Sequence, residues 1–149
     1  MTSLVDYDFN FLDRSWYWLN DPETKALTLT PDFTKEEQLN FFNSIPQRKN
    51  YWIKGILEKN TPIGAMGLKN IDTIEKSGEY WGYIGNKEFW GKGIGKFMIH
   101  EACKQAKKIG LHELYLKVGS TNFRAKKLYL NLGFTLSHAG EIEQYVILL

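Results

Sequence analysis

The sequence predicts a mixed α/β (α+β) domain, a mostly antiparallel central sheet flanked by about four helices with one parallel crossover. Three observations predict it. Short runs at 51–57, 63–68, 79–85, 113–118, 134–136 and 143–149 carry strand character. Between the third and fourth of these the apolar period changes to i, i+4: Ile94, Met98, Ala102, Ala106 and Ile109 form one stripe, which Gly110 ends. The resulting order, α-α-β-β-β-α-β-α-β-β, interleaves both element types within one core.

Each element has a local reason. Leu12, Trp16 and Leu19 recur at helical spacing, and Asp21-Pro22 ends that first helix, with Trp16 expected in the core. Thr34-Lys35-Glu36-Glu37 is a capping-box pattern, in which hydroxyl and carboxylate satisfy each other's orphan amides, and it opens a second helix. The inward face of that helix would be Leu39, Phe42 and Ile45, with Pro46 closing it. Lys59-Asn60-Thr61-Pro62 reads as a hairpin turn, and Gly64 and Gly67 weaken the strand after it and mark a bulge. Leu4-Val5-Asp6-Tyr7 has little strand character. Asn122 to Leu132 is a helix with Ala125, Leu128, Tyr129 and Leu132 on one face and Gly133 past its end.

Composition narrows the function. The 149 residues carry 19 Lys+Arg against 17 Asp+Glu, a net charge of +2, which argues against a dedicated nucleic-acid binder. With no repeat, linker or low-complexity segment, residues 1–149 read as a single domain. One cysteine excludes an intrachain disulfide and fits a reducing, cytoplasmic setting. No run approaches the ~18 apolar residues of a membrane span, and Met1 to Asp6 does not read as a signal peptide. His100 and Cys103 lie one turn apart, but without a third ligand nearby a metal role is not expected. The 22 aromatic residues are unevenly spread: half of them lie in residues 1–52.

Trp90-Gly91-Lys92-Gly93-Ile94-Gly95-Lys96 follows a strand and opens the long helix. Alternate glycines let backbone approach a ligand, and first-turn amides lack intrahelical partners. With the positive end of the helix dipole and two lysines they form a site sized for a diphosphate, the alternative being a glycine-rich connection with no ligand. A phosphate-binding P-loop would need Ser or Thr where Phe97 stands, and a dinucleotide fingerprint would need Gly where Lys96 stands.

A second run, Asn122-Phe-Arg-Ala125-Lys-Lys-Leu128-Tyr129-Leu-Asn-Leu-Gly133-Phe134, matches Asn-x-x-Ala-x-x-Leu-Tyr-x-x-x-Gly-Phe at every place. Together with the glycine loop it resembles the GNAT superfamily of acetyl-CoA-dependent N-acetyltransferases over about residues 10 to 149. The resemblance implies a sheet whose splayed strands form a groove for acetyl-CoA. Its diphosphate would rest on Gly91, Lys92, Gly93, Ile94, Gly95 and Lys96. Its pantetheine arm would pair with the backbone of Tyr83, Ile84 and Gly85 and with Asn122. Tyr129 would be the acid that protonates the departing thiolate, and amides at Ile84–Gly85 would serve the oxyanion. Glu79 matches the position of a base acting through water, or is a solvent-facing strand residue. Lys117 stands where another subgroup carries a Glu base, and Trp90 replaces the loop's usual Gln or Arg.

The acceptor implied is a small-molecule amine, with no nucleic acid, membrane or metal involved, in a monomer or homodimer. Trp16 to Glu23 with Thr34 to Glu37 resembles the amino-terminal part of relatives that acetylate amino sugars on nucleotide carriers. Tyr17, Trp18 or Trp81 would then offer a flat face for a sugar or base. The alternatives are a polyamine or a protein amine as acceptor, or a non-catalytic acyl-CoA-binding module.

Overall fold

The computed structural model describes residues 1–149 as seven strands and five helices. In chain order these are β1 (Thr2–Val5), α1 (Phe9–Asn20), α2 (Pro22–Leu27), α3 (Lys35–Ser44), β2 (Trp52–Glu58), β3 (Thr61–Asp72) and β4 (Ser77–Ile84). There follow α4 (Ile94–Lys108), β5 (Glu113–Gly119), α5 (Phe123–Asn131), β6 (Thr135–His138) and β7 (Ile142–Leu148). One sheet runs β1-β2-β3-β4-β5-β7-β6, antiparallel except between β4 and β5, which α4 connects as a crossover. No helix is long and apolar enough to cross a membrane.

The core lies between the sheet and α4. Ile94, Met98, Ile99, Ala102 and Ala106 of the helix are buried among Ile56, Ile63, Met66, Leu68, Leu114, Leu116 and Val118 of the strands. Ile109, expected at the end of the helical stripe, is exposed because the helix stops at Lys108. The β2–β3 turn is Lys59-Asn60, both at positive φ, which matches the twist of the flanking strands. The bulge expected at Gly64 and Gly67 lies instead at Ile63, the residue that falls between the Ile56↔Gly64 and Leu57↔Pro62 pairs, while both glycines are regularly paired.

Four expectations need correction. β1 exists although its own residues favour it little: pairing with β2 from Thr2↔Glu58 to Val5↔Gly55 supplies the ladder, and Glu58 holds the Met1 amine and the Thr2 hydroxyl. Asp21-Pro22 ends α1 but also starts α2, with the Asp21 carboxylate capping Thr24 N–H at 3.0 Å and Pro22 in the first turn, where a missing N–H is harmless. That is the fifth helix. The capping box of α3 forms as read, Thr34 and Glu37 bonding reciprocally at 3.0 and 3.1 Å, but Leu39 is 45% exposed. Gln38 turns inward instead, donating to the Leu12 carbonyl and the Ser15 hydroxyl, both at 2.8 Å. Trp16 is half-buried at the surface, edge-on to Phe33 and beneath Lys35, while Phe11 and Leu12 supply the buried face of α1.

Candidate functional site

β4 and β5 are paired only from Ser77↔Glu113 to Glu79↔Tyr115, and beyond Glu79 they part. Two cavities open there. The first, about 430 Å³, runs over Ile84, Trp90, Gly91, Gly93, Gly95 and Lys96 to α5. The second, about 600 Å³, lies on the other face of the sheet, among α1, β2–β5 and the α2–α3 loop. Leu27, Thr28, Tyr80, Gly82, Tyr83, Asn122 and Tyr129 line both, so the cavities meet at the gap between the strands.

The first cavity begins at the glycine loop. Gly91 and Gly93 take φ of 73° and 80°, a left-handed backbone that costs other residues about 1–2 kcal/mol. Gly93 caps α4 without a side-chain bond, so the first amides of α4 point out unpaired. Lys92 and Lys96 are exposed beside them. Arg124, which sequence reasoning missed, brings its guanidinium over Gly91: a Cβ there would lie 2.9 Å from Nη2. None of these three cations is in an ion pair. The arrangement suits a bound polyanion.

The phase of β4 sets which backbone groups face the gap. Gly85 N–H donates to the Ile63 carbonyl at 2.7 Å, so the Gly85 amide expected at an oxyanion is committed to β3. Alternation along the ladder turns the backbone of Tyr83 to β3 as well and turns Gly82 and Ile84 to the gap. The Ile84 carbonyl is bound by Trp90 Nε1 at 2.7 Å. What remains open to an extended ligand is Gly82 and the Ile84 N–H. A side chain at Gly85 would collide with the indole of Trp18, which also packs edge-on to Tyr83.

At the junction, Tyr129 projects from α5 against Phe134, ring centroids 5.9 Å apart. Burial pushes its phenol up to about 12, so it stays protonated at neutral pH. Tyr80, a second phenol at the junction, is buried, and burial holds it well above its ordinary value too. Asn122 caps α5, its Oδ1 accepting from Ala125 N–H at 3.3 Å.

Glu79 is not solvent-facing. It is 5% exposed and lines the second cavity, where Asn70 Nδ2 donates to Oε1 at 3.0 Å and Lys69 Nζ stands 3.8 Å from Oε2. Of the aromatics expected to offer a face, Trp81 alone lines this cavity, stacked on Tyr51 at 6.2 Å and 20°. Tyr17 is 68% exposed, and Trp18 is occupied at Gly85. Phe41 and Tyr7 continue the aromatic wall, and Arg48 covers Phe41 and Tyr51. Lys69 and Lys117 are the cations that line the cavity. Two buried side-chain polar atoms lack a partner: the Thr24 hydroxyl, beside the first cavity, and the Trp81 indole nitrogen, beside the second. His100 is exposed and Cys103 half-buried on α4, away from either cavity.

Known proteins share this fold. The model of the acetyltransferase (GNAT) family matches residues 13–134. An uncharacterized protein of Methanocaldococcus jannaschii is 27% identical over 112 residues, which are 74% of this chain. The chain spans about a quarter of that relative's length, 23%. A domain from M. jannaschii superposes with a TM-score of 0.87 at 24% identity, over 100% of this chain and 99% of that one. Spermidine N-acetyltransferase from Vibrio cholerae, solved with CoA and spermine, superposes with a TM-score of 0.88 at 20% identity, over 99% and 95%.

Proposed function

Because the chain belongs to the acetyltransferase (GNAT) family, we propose that it is one N-acetyltransferase domain over residues 1–149, moving an acetyl group directly from acetyl-CoA to a small amine. The observation that carries this reading is the meeting of the two cavities at Tyr129 and Gly82. The glycine-loop cavity suits acetyl-CoA: unpaired α4 amides with Lys92, Lys96 and Arg124 for its phosphates, and Gly82 and Ile84 for its amide-bearing arm.

Acetyl-CoA brings an acyl group activated as a thioester, and the chain has three tasks around it. An ammonium has no lone pair, so a proton must leave the acceptor before it attacks; Glu79 takes it through a water in the second cavity. The new C–N bond forms as the C–S bond breaks, and the gap-facing Ile84 N–H is placed to donate to the oxygen that becomes negative. The departing thiolate takes its proton from Tyr129, and the second proton, shed by nitrogen once the C–N bond has formed, restores the phenol.

The acceptor we infer is an amine on an oxygen-rich body, an amino sugar foremost. Trp81 and Tyr51 give a flat apolar wall on which a sugar ring can pack. Two lysines and one carboxylate line the cavity, a poor lining for a polycation such as spermidine. The test is CoA release across nucleotide-linked and free amino sugars, polyamines and peptides. Turnover of amino sugars above the rest is expected. Fastest turnover of spermidine or peptides would overturn the acceptor class. A thermal shift with acetyl-CoA and no release with any amine would make the protein a binding module instead.

A further inference from the structure

β3 carries an irregularity that the fold alone does not require. Lys69 pairs with Glu79 and Asp72 with Ser77, so Asn70 and Ile71 together stand opposite Gly78. This is a bulge, and its first residue, Asn70, sits at φ 50° in the left-handed region. Glycine is the usual occupant of that position and asparagine the tolerated substitute. The turn that follows is held independently, by Asp72 Oδ1 accepting from Ile74 and Glu75 N–H at 2.9 Å.

What asparagine adds over glycine is a carboxamide, and its direction is informative. Nδ2 reaches across to β4 and donates to Glu79 Oε1 at 3.0 Å, inside the second cavity. Lys69, the residue before the bulge, lies on the other carboxylate oxygen at 3.8 Å. A regular strand would turn residue 70 to the opposite face of the sheet from residue 69, because successive side chains alternate. The bulge breaks that alternation, and both neighbours converge on one carboxylate. Glu79 is thereby held from two sides while buried, with its remaining lone pairs free for a proton-relaying water.

We propose that Asn70 is a positioning residue for acetyl transfer: the bulge at Asn70–Ile71 exists to hold the Glu79 carboxylate in the orientation that accepts the acceptor's proton. The inference rests on the reading of Glu79 as proton acceptor, and the experiment separates the two. Asn70→Gly keeps the left-handed backbone and removes the carboxamide, so the bulge can still form, and its unfolding temperature is measured beside kcat to show that the variant folds. Asn70→Asp replaces the donor by a second carboxylate.

With the panel amine that releases CoA fastest, Asn70→Gly should lower kcat about tenfold, the loss expected for one hydrogen bond to a charged group. Its KM for acetyl-CoA should be unchanged, and Asn70→Asp should be slower still. Glu79→Gln should be slower than either. Glu79→Gln carrying Asn70→Gly should be no slower than Glu79→Gln alone if Asn70 acts through that carboxylate rather than through its other neighbour, the Tyr115 hydroxyl. Wild-type kcat in Asn70→Gly, or losses that multiply in the double variant, would overturn the role of Asn70 and leave that of Glu79 standing. Wild-type kcat in Glu79→Gln, or no CoA release with any amine, would overturn the reading of Glu79 and the inference with it.

Discussion

Trp90 Nε1 donates to the Ile84 carbonyl at 2.7 Å, tying the first residue of the glycine loop to the last residue of β4. The loop's usual Gln or Arg is replaced here by a ring that closes this strand end. Lys87 lies over the same ring at 5.6 Å and reaches Asp21 and Glu23 at 2.8 and 3.0 Å. The loop is therefore anchored both to the sheet and to the start of α2. Trp90→Phe keeps an aromatic ring, smaller than the indole, and removes the donor, leaving one net hydrogen bond of about 1 kcal/mol unmade. The expected outcome is an acetyl-CoA affinity about fivefold weaker by calorimetry. An unchanged affinity would show that this tie does not order the loop.

Tyr129→Phe removes the hydroxyl proposed as proton donor while leaving the ring packed against Phe134. Turnover should fall about a hundredfold, with acetyl-CoA affinity nearly intact. The pH profile gives a second check. A phenol raised to about 12 by burial is the acid form throughout the neutral and mildly alkaline range. Ionisation of Tyr129 should therefore cause no loss of kcat up to pH about 10. A loss of kcat at alkaline pH that Tyr129→Phe abolished would contradict the burial argument.

Arg124→Met should weaken acetyl-CoA binding about fivefold at low salt and less at high salt, since an exposed cation acts on phosphate through a screened field. Its kcat should be unchanged, because Arg124 lies at the loop end of the first cavity, over Gly91. A fall in kcat with affinity intact would place Arg124 elsewhere in the reaction.

The Lys87 contacts predict a pH window for stability. Hydrogen bonding to Lys87, then to Thr24 N–H, holds the Asp21 carboxyl below its ordinary 3.8, and bonding to Asp21 and Glu23 raises the Lys87 amine above its ordinary 10.5. The Asp21 contribution is present above the unfolded carboxyl value and is lost as pH falls through the folded one. The Lys87 contribution is present below the unfolded amine value and is lost as pH rises through the folded one. The unfolding-temperature difference between wild type and Lys87→Met should be small, level from about pH 5 to 9, and shrink below about pH 4. A difference that grew in acid would refute the pairing.

Much of this site is readable along the chain because its causes are local. The glycine pattern with positive φ at 91 and 93, the Asn122 cap and the capping box at Thr34 each involve residues a few positions apart. β1 and α2 escaped notice for opposite reasons: β1 depends on a partner some 50 residues away, and Pro22 signals a start as well as a stop. Arg124, Lys69 and Asn70 carry no motif of their own. Asn70 lies in a stretch that reads as a polar connection until β4 is set beside it.

By itself the sequence determined four of the five helices, most strands and the glycine pattern of the loop that opens α4. Those follow from period, caps and glycine placement, which are properties of short stretches. Only the tertiary structure decided where β4 and β5 part, which backbone groups of β4 remain free, and that Glu79 is buried against Asn70 rather than open to solvent. These depend on register between strands distant in sequence, where a shift of one residue turns every side chain to the other face.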